Sequence, residues 1–163
     1  MPATPSKLSA APLADAAATL STFVALMTAF GGTQQLLKTR MQDDAEQGLG
    51  PLHMRALCLC QRNPGGSQQQ LVQSLLRDKG QIARLIRELE ERGLLVRTPD
   101  ERDRRVWCLT VTPEGEEKCA WFSALEARVA HDLLGTLTAT DTTRLNKVLQ
   151  TVQAQLDQLG RDV

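Results

Sequence analysis

Side chains able to hydrogen-bond with the edges of nucleic-acid bases are concentrated between Ser67 and Val111. Arginine can donate two bonds to the acceptors of one guanine, and glutamine can do the same for adenine. Lysine supplies a point charge for phosphate. In the run DKGQIARLIRELEERG, Ile82, Leu85, Ile86 and Leu89 recur at the offsets of a single buried helical stripe. At about 100° per residue the opposite face holds Gly80, Ala83, Arg84 and Arg87, with Lys79 and Gln81 at the first turn. Small residues let a backbone press into a groove and the long donors reach the base edges. Downstream, PDERDRR places Arg102, Arg104 and Arg105 at the tip of a predicted hairpin, a finger suited to a phosphate backbone or a narrow minor groove. Asp103 beside Arg105 is placed to hold a guanidinium in one orientation through a paired bond. An amphipathic helix by itself is most often only a solvated helix. The basic hairpin behind it gives the pattern its direction.

The elements that must hold these residues are legible from their caps. In SQQQLVQSLL, Ser67 and Gln70 have the spacing of a reciprocal capping box, Gln68 follows the cap, and Leu71, Leu75 and Leu76 make one apolar side. Asp78 and Gln81 repeat the cap spacing for the second helix, and Gly93 is predicted as its left-handed terminator. Leu94 to Thr98 reads as a strand, Pro99 and Asp100 open a turn, and Val106 to Val111 reads as the return strand with Trp107, Leu109 and Val111 on one face. Two short helices joined tightly and followed by a hairpin form a helix-turn-helix with a wing.

Composition agrees with a helical protein. The 163 residues are 42% hydrophobic but only 3% aromatic, with no tyrosine, so leucine, valine and alanine must do the packing, which favours helix on helix. The formal net charge is zero. Charge is instead local: residues 77 to 105 hold nine of the nineteen basic side chains, against seven acids. Four cysteines, Cys58, Cys60, Cys108 and Cys119, have neither zinc spacing nor the density of a disulfide scaffold, and their apolar or strand contexts predict inert buried thiols. No metal or cofactor motif is present. With two histidines, no nucleophile in a base-paired motif and no glycine-rich phosphate loop, the sequence does not read as an enzyme. No apolar run of about 18 residues is evident, so a cytoplasmic protein without membrane contact is expected.

Taken in order, residues 1–12 carry three prolines and read as a disordered tail. Residues 13–50 form an N-terminal helical region with Leu20, Phe23, Val24, Met27 and Phe30 at spacings of three and four. Gly31 and Gly32 are expected to kink or break it. Residues 51–111 form the winged lobe, entered through a buried helix running from Pro51 to about Gln61, on which His53 reads as a surface or contact residue rather than a ligand. Residues 112–163 hold two helices. The first is capped at Thr112-Pro113-Glu114, runs to about Leu134 and is stopped by Gly135, with Ala120, Ala124, Leu125, Ala127, Val129 and Leu133 near one seam. The second is capped by Thr140 or Asp141 and carries Leu145, Val148, Leu149, Val152, Leu156 and Leu159 as a long stripe. So long a stripe at the chain end predicts packing on the N-terminal helix and on a second subunit.

The run from Ser67 through DKGQIARLIRELEERGLLVRTPDERDRRVWCLTVTPEG resembles the winged helix-turn-helix of the MarR family of bacterial transcriptional regulators, above all in ERGLLVR, in the wing residues Asp100, Asp103, Arg104 and Arg105, and in the TPEG that follows. The resemblance implies a mainly α fold with a two-stranded β wing flanked by dimerisation helices, and an obligate homodimer on double-stranded DNA. By position it implies contacts from Gly80, Gln81, Ala83 and Arg84 on the helix and Arg104 and Arg105 on the wing. Gly80 and Ala83 depart from the hydroxyl or amide residues common there, which leaves base recognition chiefly to Gln81 and Arg84. The function expected is that of a repressor on a pseudo-palindromic site. An unidentified small ligand would alter the spacing of the two reading helices from a cleft near residues 13–40, the 51–61 helix and the start of the Thr112 helix. Two alternatives stand beside it: a winged-helix protein-docking module, and a thiol-based redox sensor, although relatives of that kind carry their cysteine in the N-terminal helix and this chain has none before Cys58.

Overall fold

Local caps and apolar spacing dictate the order of elements, and the architecture follows them. The computed structural model describes residues 13–43, 48–75, 77–100, 104 and 106–160. Their order is α1 (Leu13–Asp43), α2 (Pro51–Arg62), β1 (Gly66–Ser67), α3 (Gln68–Leu75), α4 (Lys79–Glu91), β2 (Leu95–Pro99), β3 (Trp107–Val111), α5 (Pro113–Leu134) and α6 (Ala139–Leu159). The chain divides into two compact units, Met1–Leu52 and His53–Val163.

The first unit is built on α1. The helix does not break at Gly31 and Gly32 as expected; it continues through both to Asp43. Each glycine costs about 1 kcal/mol relative to alanine, which a helix of this length absorbs. Leu20, Phe23, Val24, Met27 and Phe30 are all exposed, whereas Leu37 and Met41 near the C-terminal end are buried. A second expectation is also corrected: Ala16–Gln42 is long and apolar enough to cross a membrane, by length and composition alone. The cause is an absence of charge between Asp15 and Lys38 rather than an unbroken apolar run, since threonine, serine and glutamine interrupt it throughout.

In the second unit the core gathers Met54, Ala56, Leu57 and Cys60 of α2, Leu71 of α3, Ile82, Leu85, Ile86 and Leu89 of α4, Leu94, Leu95 and Leu109 around the sheet, and Cys119, Phe122, Leu125 and Val129 of α5. Burying a side chain of this size contributes roughly 1.5–3 kcal/mol. The sheet has order β1-β3-β2 and is antiparallel throughout. The expected two-stranded wing pairs Leu95 with Val111 through Pro99 with Trp107. The third strand, Gly66–Ser67 against Leu109 and Cys108, was not foreseen; it ties the start of the helix-turn-helix to the wing.

Thr112 locks the junction behind the wing. Its hydroxyl donates to the Gly93 carbonyl (2.7 Å) and accepts from the Gly115 N–H (3.1 Å), while its own N–H donates to the Leu94 carbonyl (3.1 Å). Gly115 has to be glycine: a Cβ there would collide with the Leu94 carbonyl and Val111. The buried positions of α5 are Gly115, Cys119, Phe122, Leu125 and Val129. Ala120, Ala124, Ala127 and Leu133, expected on that seam, are exposed, because the seam follows the large side chains and the alanines fall beside it. The cap of α6 is Thr138 rather than Thr140 or Asp141: its oxygen accepts from the Asp141 N–H at 3.2 Å and its hydroxyl donates to the Asp141 carboxylate at 2.6 Å. On α6, Leu145, Val148, Leu149, Leu156 and Leu159 are exposed.

Candidate nucleic-acid interface

Two caps set the helix-turn-helix. Ser67 Oγ accepts from the Gln70 N–H (3.3 Å) and Gln70 Oε1 accepts from the Ser67 N–H (2.7 Å), the reciprocal box read from the sequence. Asp78 is extended (φ −65°, ψ 153°) and its Oδ1 accepts from the Gln81 N–H at 2.8 Å. The end of α4 is equally defined: Gly93, at φ 69°, donates to the Glu90 carbonyl (2.8 Å) and Leu94 to the Leu89 carbonyl (3.0 Å), the paired bonds of a Schellman motif. With its apolar stripe fully buried, α4 turns Lys79, Gly80, Arg84 and Arg87 outward, with Gln81 and Ala83 half-buried at the margin. A Cβ on Gly80 would meet only the Asp78 carboxylate at 3.2 Å. Ser67 and Gln68, at the head of α3, are half-buried.

Arg84 is 73% exposed and its Nε stands 3.5 Å from Glu88 one turn on. The other oxygen of Glu88 is 2.6 Å from His53 Nε2 of α2. Hydrogen bonding by the His53 ring, reinforced by Arg84 and Arg92, holds the Glu88 carboxyl below its usual value, so it stays ionised as an anchor for Arg84. His53, expected as a surface or contact residue, is 19% exposed and committed to this pair.

Arg97, one of the nine basic side chains counted between residues 77 and 105, is taken up within the lobe. Its Nε donates to Glu90 Oε1 at 2.8 Å and its Nη2 lies 2.7 Å from Glu90 Oε2, a two-pronged pair joining β2 to the end of α4. Its guanidinium also lies 5.7 Å from the ring centre of Trp107. The wing base is thereby fixed to α4. The hairpin closes through the Asp100 N–H on the Val106 carbonyl (2.9 Å), and Arg104 is exposed beyond it. Arg102, Asp103 and Arg105 lie outside the described residues.

Of the residues expected on one face of the return strand, Leu109 is buried but Trp107 is 47% exposed. Trp107 helps line an open cavity of about 480 Å³ with Ser67, Gln68, Gln69, Val72, Lys79 and Val106, between the two helix starts and the wing. Among the described residues no group of three or more His, Cys, Asp or Glu is placed to hold a metal ion.

Comparison with known proteins agrees with this geometry. The MarR family profile matches residues 47–106. A putative transcriptional regulatory protein for the hcr operon of Thauera aromatica is 36% identical over 74 residues, 45% of each chain, so the match spans less than half of that relative's length. The structure of Streptococcus pneumoniae FabT in complex with DNA superposes with a TM-score of 0.77 at 16% identity, over 86% of this chain and 99% of that one. CouR from Rhodococcus jostii RHA1, bound to p-coumaroyl-CoA, gives 0.68 at 26% identity over 78% of this chain and 88% of that one. The fold of these solved structures is thus shared over most of the chain, and its residues 47–106 are similar to the MarR family.

Proposed function

We propose that this chain is a repressor that binds a pseudo-palindromic DNA site as a homodimer in the cytoplasm and releases it when a small ligand binds. One observation carries the reading: α4 buries its whole apolar stripe and presents Lys79, Gly80, Arg84 and Arg87 outward, beside a wing fixed to it by Arg97 and Glu90. In this reading Gln81, Ala83 and Arg84 meet base edges, Lys79 and Arg87 meet phosphate, and Ser67 and Gln68 meet the backbone at the head of α3. Arg104 reaches the adjacent minor groove, together with Arg102, Asp103 and Arg105 of the same tip.

The dimer is supported by what a single chain leaves uncovered. Leu20, Phe23, Val24, Met27 and Phe30 of α1, and Val148, Leu149, Leu156 and Leu159 of α6, are exposed. On α1 they form one stripe flanked by threonine, serine and glutamine, the pattern of a protein contact rather than of a lipid-facing helix, which is apolar all round. Two reading helices in successive major grooves stand about 34 Å apart. A ligand favouring another spacing weakens binding by its differential affinity for the two states. Ligand control is supported by CouR, which was solved with p-coumaroyl-CoA bound.

The test is selection of bound duplexes from a random pool, followed by titration of the Arg84→Ala and Arg104→Ala variants. A pseudo-palindromic product is expected, with a loss of about 1–3 kcal/mol wherever a paired base contact is removed and a steep fall with salt. No selected sequence, with unchanged affinity in both variants, would turn the reading to a docking module.

A further inference from the structure

The outward face of α4 carries two arginines about one turn apart, and they are held differently. Arg84 Nε stands 3.5 Å from Glu88 Oε1, and Glu88 Oε2 is in turn 2.6 Å from His53 Nε2 of α2. Arg87, on the same face, has no carboxylate partner among the described residues. We propose that Glu88 and His53 are positioning residues that set base specificity: the carboxylate, fixed by the His53 ring, holds the Arg84 guanidinium by its Nε edge and restricts it to the paired acceptors of a guanine. This role rests on the DNA-binding function proposed above.

A guanidinium carries five N–H donors in one plane, one of them on Nε and two on each terminal nitrogen. Glu88 takes the Nε edge and Arg84 is 73% exposed, so the terminal nitrogens are left to an acceptor outside the protein. Guanine offers O6 and N7 side by side in the major groove, where every other base presents at most one acceptor. An unrestrained arginine finds phosphate oxygens as readily, and phosphates carry no sequence information. Glu88 opposes that second choice in two ways. It limits the rotamer freedom that Arg84 loses on meeting a base, and its negative charge works against the approach of a phosphate.

His53 supplies the fixed end. An ionised carboxylate only accepts, so Nε2 carries the hydrogen in this pair. The His53 side chain is 19% exposed and that of Glu88 39%. Met54, Ala56 and Leu57 beside His53 are wholly buried, so the ring is carried by a helix seated in the core. An arginine and a glutamate one turn apart on an open helix face are by themselves weakly ordered. The bond to His53 removes much of the freedom of the glutamate and is the first cause of its low carboxyl value, so the charge that holds Arg84 stays in place.

The test measures, by fluorescence anisotropy, the affinity of the full-length protein for the duplex selected from the random pool, for versions changed one letter at a time, and for a shuffled duplex. Glu88→Gln keeps the shape and removes the charge. It should bind the shuffled duplex more tightly than wild type, while the preference for guanine at the position addressed by Arg84 falls roughly tenfold. Arg87→Ala should instead weaken all of these duplexes alike. His53→Leu should lose the same preference without tightening the shuffled duplex, since the carboxylate remains, and His53→Gln, which keeps a donor, should restore part of it. With Arg84→Ala already in place, Glu88→Gln should alter no letter preference.

Equal losses on every duplex in Glu88→Gln would make the pair purely structural and overturn the assignment. A preference shift that persists without Arg84, or a letter other than guanine at the position that Arg84→Ala affects, overturns it as well. Glu88 is half-exposed, so these outcomes can be read even if His53→Leu fails to fold. Wild-type protein that selects no sequence refutes the DNA-binding function and the positioning role together. A selected sequence whose letter preferences are untouched in Glu88→Gln refutes the positioning role alone.

Discussion

α4 and α6 carry apolar residues at the same helical spacing and meet opposite fates. Ile82, Leu85, Ile86 and Leu89 are between 0 and 4% exposed, whereas Leu145, Val148, Leu149, Leu156 and Leu159 lie between 37 and 62%. The difference is not in the helices. α4 is surrounded by α3 and the sheet within its own unit; none of the described α6 side chains is buried. Periodicity therefore identifies a face that needs covering, and only the neighbourhood says whether this chain covers it. An exposed apolar stripe of this kind has the pattern that a contact surface needs.

That contrast can be broken in order of expected effect. Val148→Asp places a charge in the open stripe; if the stripe is the dimer contact, an unpaired buried charge costs about 3–5 kcal/mol, and sedimentation at micromolar protein should find single chains. A dimer of unchanged affinity would show that α6 is not the contact. Leu89→Ala and Leu156→Ala then separate the two kinds of apolar residue. The first should lower denaturant stability by about 2–5 kcal/mol irrespective of concentration, while the effect of the second should grow as the protein is diluted. Gly115→Ala probes the closed side at its tightest point, and about 1–3 kcal/mol should be lost to overpacking of the Leu94 carbonyl and Val111.

The smallest effect lies in the link from α2 to α4. The Glu88 carboxyl is held below its usual value in the folded protein, mainly by hydrogen bonding from His53. A depressed folded value means the carboxylate contributes its stability above the unfolded value of about 4.3 and loses it as pH falls through the lower, folded value. Thermal melts of wild type and Glu88→Gln should accordingly differ near neutrality and converge below about pH 4. Curves that remain parallel throughout would remove His53 and Glu88 as the cause.

Much of the winged lobe was legible because its determinants are local. The Ser67 and Gln70 box, the Asp78 cap, the Gly93 terminator and the α4 stripe each lie within a few residues. What escaped depends on distance along the chain or on competition among equivalents. His53 meets Glu88 from 35 residues away, and Arg97 on β2 is brought back to Glu90 of α4 by the turn between them. β1 has two residues and no strand composition; only β3 makes it a strand. At the start of α6, Thr138, Thr140 and Asp141 all offer a capping oxygen, and Thr138 prevails because Asp141 answers it with both its N–H and its carboxylate. The break expected at Gly31 and Gly32 failed for another reason: propensity is a weak local cost inside a 31-residue helix.

The two-pronged bond between Arg97 and Glu90 has a consequence for operator grammar. If hairpin and helix, joined as one body, contact DNA as proposed, the bases addressed by each sit at a constant offset within a half-site. Changing a letter there removes one contact, but inserting a base pair between the two addresses turns them apart by about 35° and shifts them by about 3.4 Å. Half-sites should therefore tolerate substitution better than insertion, and in the proposed dimer any ligand-induced change of spacing falls between the two copies, not within either.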